Sequence, residues 1–245
     1  MAFPAPGATA PAATVERLRK GETTRAVIVD AALAIARREG LEGLTIGLLA
    51  DALGKSKSGV FAHFGSREDL QLAVLHEYAV RFVDEVMRPA VERARGLPRL
   101  QAMLENWLRL LARELEQGCL MIGGASEYDD RPGALRDAMV AIVTGWKHEL
   151  LRAIDSAKQA GHLSASVESH QLVFEIYGLM LALHQDARLL RSADSVKRTR
   201  AGLARLIDSA RAPGRARRTV TSRRPVSKSP GARPRSRRSK SSRSR

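Results

Sequence analysis

Residues 45–70, TIGLLADALGKSKSGVFAHFGSREDL, hold a lone Gly-Lys-Ser at 54–56 and a histidine between two phenylalanines at 61–64. Two kinds of site share that signature: a phosphate-binding loop and the corner of a helix-turn-helix. A loop of the Walker type carries a glycine five residues before the one that precedes the lysine, and it follows a buried strand. Here that position is Leu49, which lies on the stripe Ile46, Leu49, Ala50, Leu53 of a short amphipathic helix. The corner reading accounts for more of the residues. Gly54 can take the positive φ needed just past a helix end. Small Ala50 lets a second short helix come close, and Ser56 can cap that helix. Helix 57–64 then turns Val60 and Phe64 inward. Lys55, Lys57, Ser58 and His63 are left on its opposite face or at its N-terminal end, open to a DNA groove.

Upstream, Val27, Ile28, Ala31, Ala32, Ile35 and Ala36 recur at helical steps across 23–38, and Gly40 is the stop signal. Thr45 is the N-cap of the next helix. Downstream, Ser66 with Asp69 three residues on resembles a capping box, opening a long helix through Leu70, Val74 and Tyr78. Four helices are expected in about sixty residues.

At these positions the chain resembles the tetracycline-repressor (TetR) family of transcriptional regulators. The likeness is carried by Leu49-Ala50, Gly54, Phe-x-His-Phe at 61–64 and Ser-Arg-Glu-x-Leu at 66–70, and it reaches back through AALAIARREG at 31–40. Two positions depart from the family: Phe61 stands where tyrosine is usual and Arg67 where lysine is usual. Phe61 lacks a hydroxyl that could bond phosphate, whereas Arg67 keeps the positive charge. The resemblance implies an all-α fold, with a three-helix helix-turn-helix DNA-binding domain over 21–80 and a helical ligand-binding and dimerisation domain over 81–210. It also implies a recognition helix in the major groove, with Lys57 and Ser58 at or near bases. Thr45, Lys55, Ser56, His63 and Arg67 are then the phosphate-backbone holders, with Phe61 on the same surface. Each residue keeps a plainer alternative. Ser56 and Ser66 can serve only as caps, Lys55 and Lys57 as solvated charges, and His63 as local packing.

One short recognition helix reads too few bases to find a site in a genome, so a pair of modules on a palindromic operator is expected. Helical patterns continue at 97–117, 119–127, 132–160, 167–190 and 195–209. The resemblance implies a homodimer built by two late helices, for which 132–160 and 167–190 are the candidates. Leu135, Met139, Ile142, Val143, Trp146, Leu150 and Ile154 form one apolar face. Leu172, Ile176, Leu179, Met180 and Leu183 form another, and packing inside one subunit competes for both. A small-molecule effector pocket is also implied by the resemblance. Trp107, Met121, Trp146, Phe174, Tyr177 and Met180 are candidates for its apolar lining, with Tyr128 or His184 as polar contacts. Plain core is the alternative for each. The segment GCLMIGGASEYDDRPG at 118–133 is a candidate break beside such a cavity.

Composition restricts the other classes. Cys119 is the only cysteine, which excludes an internal disulfide and a cysteine-rich zinc site. Six scattered histidines form no His-x-x-x-His pair, and no glycine pattern suggests a dinucleotide site. No cofactor, metal or catalytic constellation is expected. The longest uncharged apolar stretches, such as 138–146, fall short of a bilayer span, and residues 1–20 read as a mobile leader rather than a secretion signal. The expectation is a cytoplasmic, nucleoid-associated protein with no membrane partner. The formal charge is +15, but the 14 Lys and Arg of 211–245 supply nearly all of it, and removing them leaves +1. That stretch of Arg, Ser and Pro is expected to be a disordered tail. It supports a second reading, a non-specific nucleic-acid-binding protein acting through the tail by counterion release. Lacking aromatics, the tail cannot stack on bases.

Overall fold

The computed structural model describes residues 12–212, with side chains from Gly21 onward. The tail beyond Ala212 lies outside the described residues. Each helix boundary near the corner follows from a residue able to make it. Helix α1 (Ala12–Gly43) bends at Gly40, whose φ of 78° and ψ of 170° interrupt the helix before a last turn. It begins at Ala12, so nine residues of the expected leader are helical.

Thr45 caps α2 (Ile46–Leu53) by accepting from Leu48 N–H at 3.1 Å. Gly54 ends it in the left-handed region, φ 59°, with Lys55 N–H donating back to the Ala50 carbonyl at 2.9 Å. Ser56 caps α3 (Lys57–Phe61) through Gly59 N–H. This helix is shorter than the expected 57–64: its last residues form a turn, in which Gly65 N–H donates to the Phe61 carbonyl. Ser66 caps α4 (Arg67–Phe82), accepting from Asp69 N–H at 3.0 Å and donating to the Asp69 carboxylate at 2.6 Å.

A π-helical turn (Val83–Met87) interrupts the helix after α4, which resumes as α5 (Arg88–Val91). Then follow α6 (Leu97–Glu114), α7 (Leu120–Tyr128), α8 (Ala134–Gln159), α9 (Ser169–Arg188) and α10 (Ser195–Ser209). No strand occurs among the described residues, apart from a single antiparallel bridge between Leu163 and Arg211. Ser164 N–H bonds the Ala210 carbonyl and Ala212 N–H the His162 carbonyl, so the folded body runs to Ala212 rather than ending at 210. Among the described residues, no helix is long and apolar enough to cross a membrane.

Helix α1 packs on α4 and α7, and α8 on α4, α6, α7 and α9. The core is aromatic at its centre. Phe82 meets Trp146 edge-on at 5.0 Å between centroids, Trp146 meets Trp107 at 5.2 Å, and Trp107 meets Tyr177 at 5.6 Å. Such pairs add about 0.5–1.5 kcal/mol each beyond area burial. Residues Leu135, Met139, Trp146, Leu150 and Ile154 of α8 are buried, as are Leu172, Ile176, Met180 and Leu183 of α9. The two apolar faces named from periodicity therefore belong to the subunit core. The surface left over on α8 and α9 carries Val140, Leu181 and Phe174 (70% exposed), with Leu189 (71% exposed) just past the end of α9.

Candidate nucleic-acid interface

Val60 is fully buried and Phe64 nearly so, which fixes the roll of α3 on the body. Lys55, Ser56, Lys57, Ser58 and Phe61 lie exposed on the outside of α3 and the turn before it, with Thr45 exposed at the start of α2. Lys57 reaches back over α2: a Cβ placed on Gly47 would lie 3.4 Å from its Cε, 3.6 Å from its Nζ and 3.9 Å from Thr45 Oγ1. Two candidate DNA contacts, 12 positions apart in the chain, thus converge on one side-chain-free patch. Phe61, one helical turn beyond Lys57, puts half of an apolar ring on the same surface. His63 is only partly exposed and sits against the Phe64 ring, 6.5 Å between centroids.

Arg67 does not join this surface as a free cation. Its Nε donates to the Leu44 carbonyl at 2.9 Å, and its Nη2 donates to the Glu42 carbonyl and faces the Glu42 carboxylate. Its guanidinium clamps the last turn of α1 and Leu44 just after it, because a rigid fork can satisfy two stranded carbonyls at once. Arg67→Lys is expected to lower stability by about 1–2 kcal/mol, the worth of the lost charged hydrogen bond, without changing the salt slope of DNA binding. Thermal unfolding and a salt titration read the two effects separately.

The same turn is gripped from the other domain. The Glu127 carboxylate at the end of α7 accepts from Leu41 N–H at 2.9 Å and Glu42 N–H at 3.4 Å. Gln71 donates to the Leu41 carbonyl at 2.6 Å, and Tyr128 donates to the Glu42 carboxylate, holding that carboxyl below its usual range. At the start of α7, Arg37 pairs with Glu114 at 2.8 Å, both ends shielded from water. Tyr78 lies beside them, its hydroxyl 3.4 Å from Glu114 and 3.6 Å from Cys119 Sγ. Burial, more than any neighbour, raises the Glu114 carboxyl and lifts the Cys119 thiol to about 12. Gly118 allows the close approach: its φ is 103°, and a Cβ there would overlap the Arg37 carbonyl oxygen. Arg37, Gln71, Glu114 and Glu127 carry no local sequence signal, since their partners lie 30 to 86 residues away.

The effector candidates fall into four groups. Trp107, Met121, Trp146, Tyr177 and Met180 are buried core. Tyr128 is committed to Glu42 rather than presented to a ligand. Phe174 is a correction: it lies one residue round from Val173, off the buried stripe of α9, and points to the outer surface. His184 lines a cavity of about 280 Å³, with Arg188 one turn along α9 and Arg37 from α1. Burial first, and then the Arg188 charge, depresses its basicity.

Comparison with known proteins matches two parts of the chain to one family. Residues 28–74 match the model described as bacterial regulatory proteins, tetR family, and residues 96–203 match the tetracyclin repressor-like C-terminal domain. The chain belongs to the TetR family of transcriptional regulators. In the sequence of the transcriptional repressor AcnR from Corynebacterium glutamicum, 79 residues are 37% identical, covering 32% of this chain and 42% of that protein. The chain thus matches less than half the length of that curated relative.

A TetR transcriptional regulator from Chloroflexus aurantiacus superposes with a TM-score of 0.71 at 26% identity, over 80% of this chain and all of that one. A regulator from Saccharomonospora viridis, solved in complex with choline, gives 0.68 at 20% identity, over 78% of this chain and 99% of that one. In TetR terms, the patch around Gly47 and Lys57 lies in the DNA-binding domain, and α6–α10 make the C-terminal domain. The contacts of Glu127, Tyr128 and Arg37 join the two.

Proposed function

We propose that this protein is a homodimeric repressor that reads a palindromic operator through α3 and leaves it when a small molecule binds the C-terminal domain. The observation that carries the reading is the exposed patch of Thr45, Lys55, Lys57 and Ser58, held at a fixed roll by buried Val60 and Phe64. Lys57 and Ser58 are assigned to base edges, and Thr45, Lys55, Ser56 and His63 to the phosphate backbone. The family and the AcnR likeness support repression.

The exposed apolar residues of α8 and α9 support a two-fold interface with a second copy, which makes the operator an inverted repeat. In this reading the dimer contact is made by the outer faces of the two expected helices. The choline complex of one structural neighbour fits a domain of this shape holding an effector. The reading places the protein in the cytoplasm, with its DNA, and gives it no catalytic role.

The basic tail is assigned non-specific DNA affinity. Residues 213–245 carry 13 Lys and Arg and no acid. A chain ending at Ala212 is expected to keep its sequence preference, while the slope of log affinity against log salt falls by several units. An unchanged slope overturns the tail's role. A lost preference favours the second reading, in which the tail is the functional nucleic-acid binder.

A further inference from the structure

A cleft of about 530 Å³ opens between α5, the start of α6 and the second half of α8. Its floor is apolar, formed by Met87, Ala90, Met103 and Ala153, the last three buried. Its rim carries three arginines, with the carboxylates of Glu149 and Asp155 in the α8 wall, the latter bonded by the Ser169 hydroxyl. Arg152 is neutralised by Glu149. Arg95 and Arg99 have no carboxylate within ion-pair distance among the described residues. The Arg99 Nη2 donates to the Val91 and Arg93 carbonyls at 3.0 Å each, which fixes the guanidinium in place. Its Nε is shielded from water and makes no hydrogen bond.

A guanidinium held in place with no carboxylate balancing its charge, next to the exposed Arg95, is matched by an oxyanion, and a carboxylate fits its planar fork best. A small inorganic ion would leave the apolar floor wet. One turn further along α6 and α8 from Met103 and Glu149 lie Trp107 and Trp146, and Trp146 Nε1 is buried without a partner. The π-helical turn Val83–Met87 ends at the cleft, and its Val86 carbonyl is held by Asn106 Nδ2 at 3.0 Å. Such turns are places where helix register can change.

We propose that this cleft binds an amphipathic anion, with the carboxylate on Arg95 and Arg99 and the apolar chain over Met87, Met103 and Ala153 towards the tryptophans. The inference rests on the effector-responsive reading above and names the chemical class of its ligand. Bound there, the ligand lies against the π-helical turn that continues α4, the helix beginning next to the DNA-binding corner.

The test uses the full chain with decanoate, and with decanol and inorganic phosphate as the neutral and the chain-free probes. Binding is followed by the fluorescence of Trp107 and Trp146. Decanoate is expected to bind at least tenfold more tightly than either control. Arg95→Gln is expected to weaken decanoate about fivefold to tenfold and to leave decanol unchanged. The Arg95 side chain is exposed and makes no hydrogen bond among the described residues, so this variant is expected to unfold like the wild type. Equal binding of decanoate and decanol, binding by phosphate as tight as by decanoate, no response to decanoate, or indifference to Arg95→Gln each overturn the proposal. DNA release is measured separately. Decanoate that binds as predicted without releasing DNA supports the site and contradicts the effector reading. Absence of decanoate binding by a protein that holds DNA overturns the site alone.

Discussion

Replacing Lys55 and Lys57 together by alanine is expected to weaken operator binding about 100- to 1,000-fold. A dimer loses four cations at once, each worth about 1 kcal/mol against phosphate or a base edge. Both side chains are exposed and neither is paired to a carboxylate among the described residues, so the fold is expected to survive the change. The single variants separate the two roles. Lys55→Ala, at the turn, is expected to weaken all duplexes alike and to reduce the salt slope. Lys57→Ala, over Gly47, is expected also to relax preference at one base pair of each half-site. A double variant that binds its operator within threefold of wild type would remove α3 from the interface.

Arg37→Ala is expected to cost about 3–5 kcal/mol of stability, since it strands the Glu114 carboxylate in a place where water cannot replace the guanidinium. Glu114 is 3% exposed, and its carboxyl already sits above its ordinary range because of burial. An acid whose folded pKa is raised binds its proton more tightly in the folded state. The folded protein therefore loses stability as pH rises through the window between the unfolded and folded values, and regains it on acidification. Without Arg37 the window widens. The deficit of Arg37→Ala is thus expected to shrink as pH falls from neutrality towards the ordinary carboxylate range. Adding Glu114→Gln is expected to return part of the loss at neutral pH. Denaturant unfolding at several pH values checks both signs, and a pH-independent deficit would mean that lost packing of the arginine stem, not the stranded charge, sets the cost.

The α2–α3 corner was legible because each of its decisions is local. Thr45, Gly54, Ser56 and Ser66 act within four residues of themselves, and the structure places all four at the caps expected of them. Helix α10 likewise spans the residues its periodicity marks. Residues 12–20, within the expected leader, belong to α1, whose start lies upstream of the apolar stripe Val27 to Ala36 and is not marked by it. At Arg67 the sequence leaves the partner open. A basic side chain beside a recognition helix has the same composition whether it meets phosphate or, as here, two carbonyls of its own chain.

The stripes on α8 and α9 were found, but not their allegiance. A face that packs within the subunit and one that packs on a second copy have the same spacing, and only the burial of Trp146, Ile176 and Met180 against the exposure of Phe174 and Leu189 distinguishes them. The contacts joining the domains were invisible to periodicity altogether. Glu127 and Leu41 are 86 residues apart, and their meeting depends on how α7 docks against α1.

The central claim is a two-fold, sequence-reading DNA binder, and selection of bound duplexes from a randomised pool tests it most directly. Residues 1–212 are the form to use, because they leave out the basic tail that would otherwise retain every sequence. Recovery of an inverted repeat is expected, with half-sites that lose definition in the Lys57→Ala variant. Folded protein that recovers no motif, or a motif without two-fold symmetry, would contradict it.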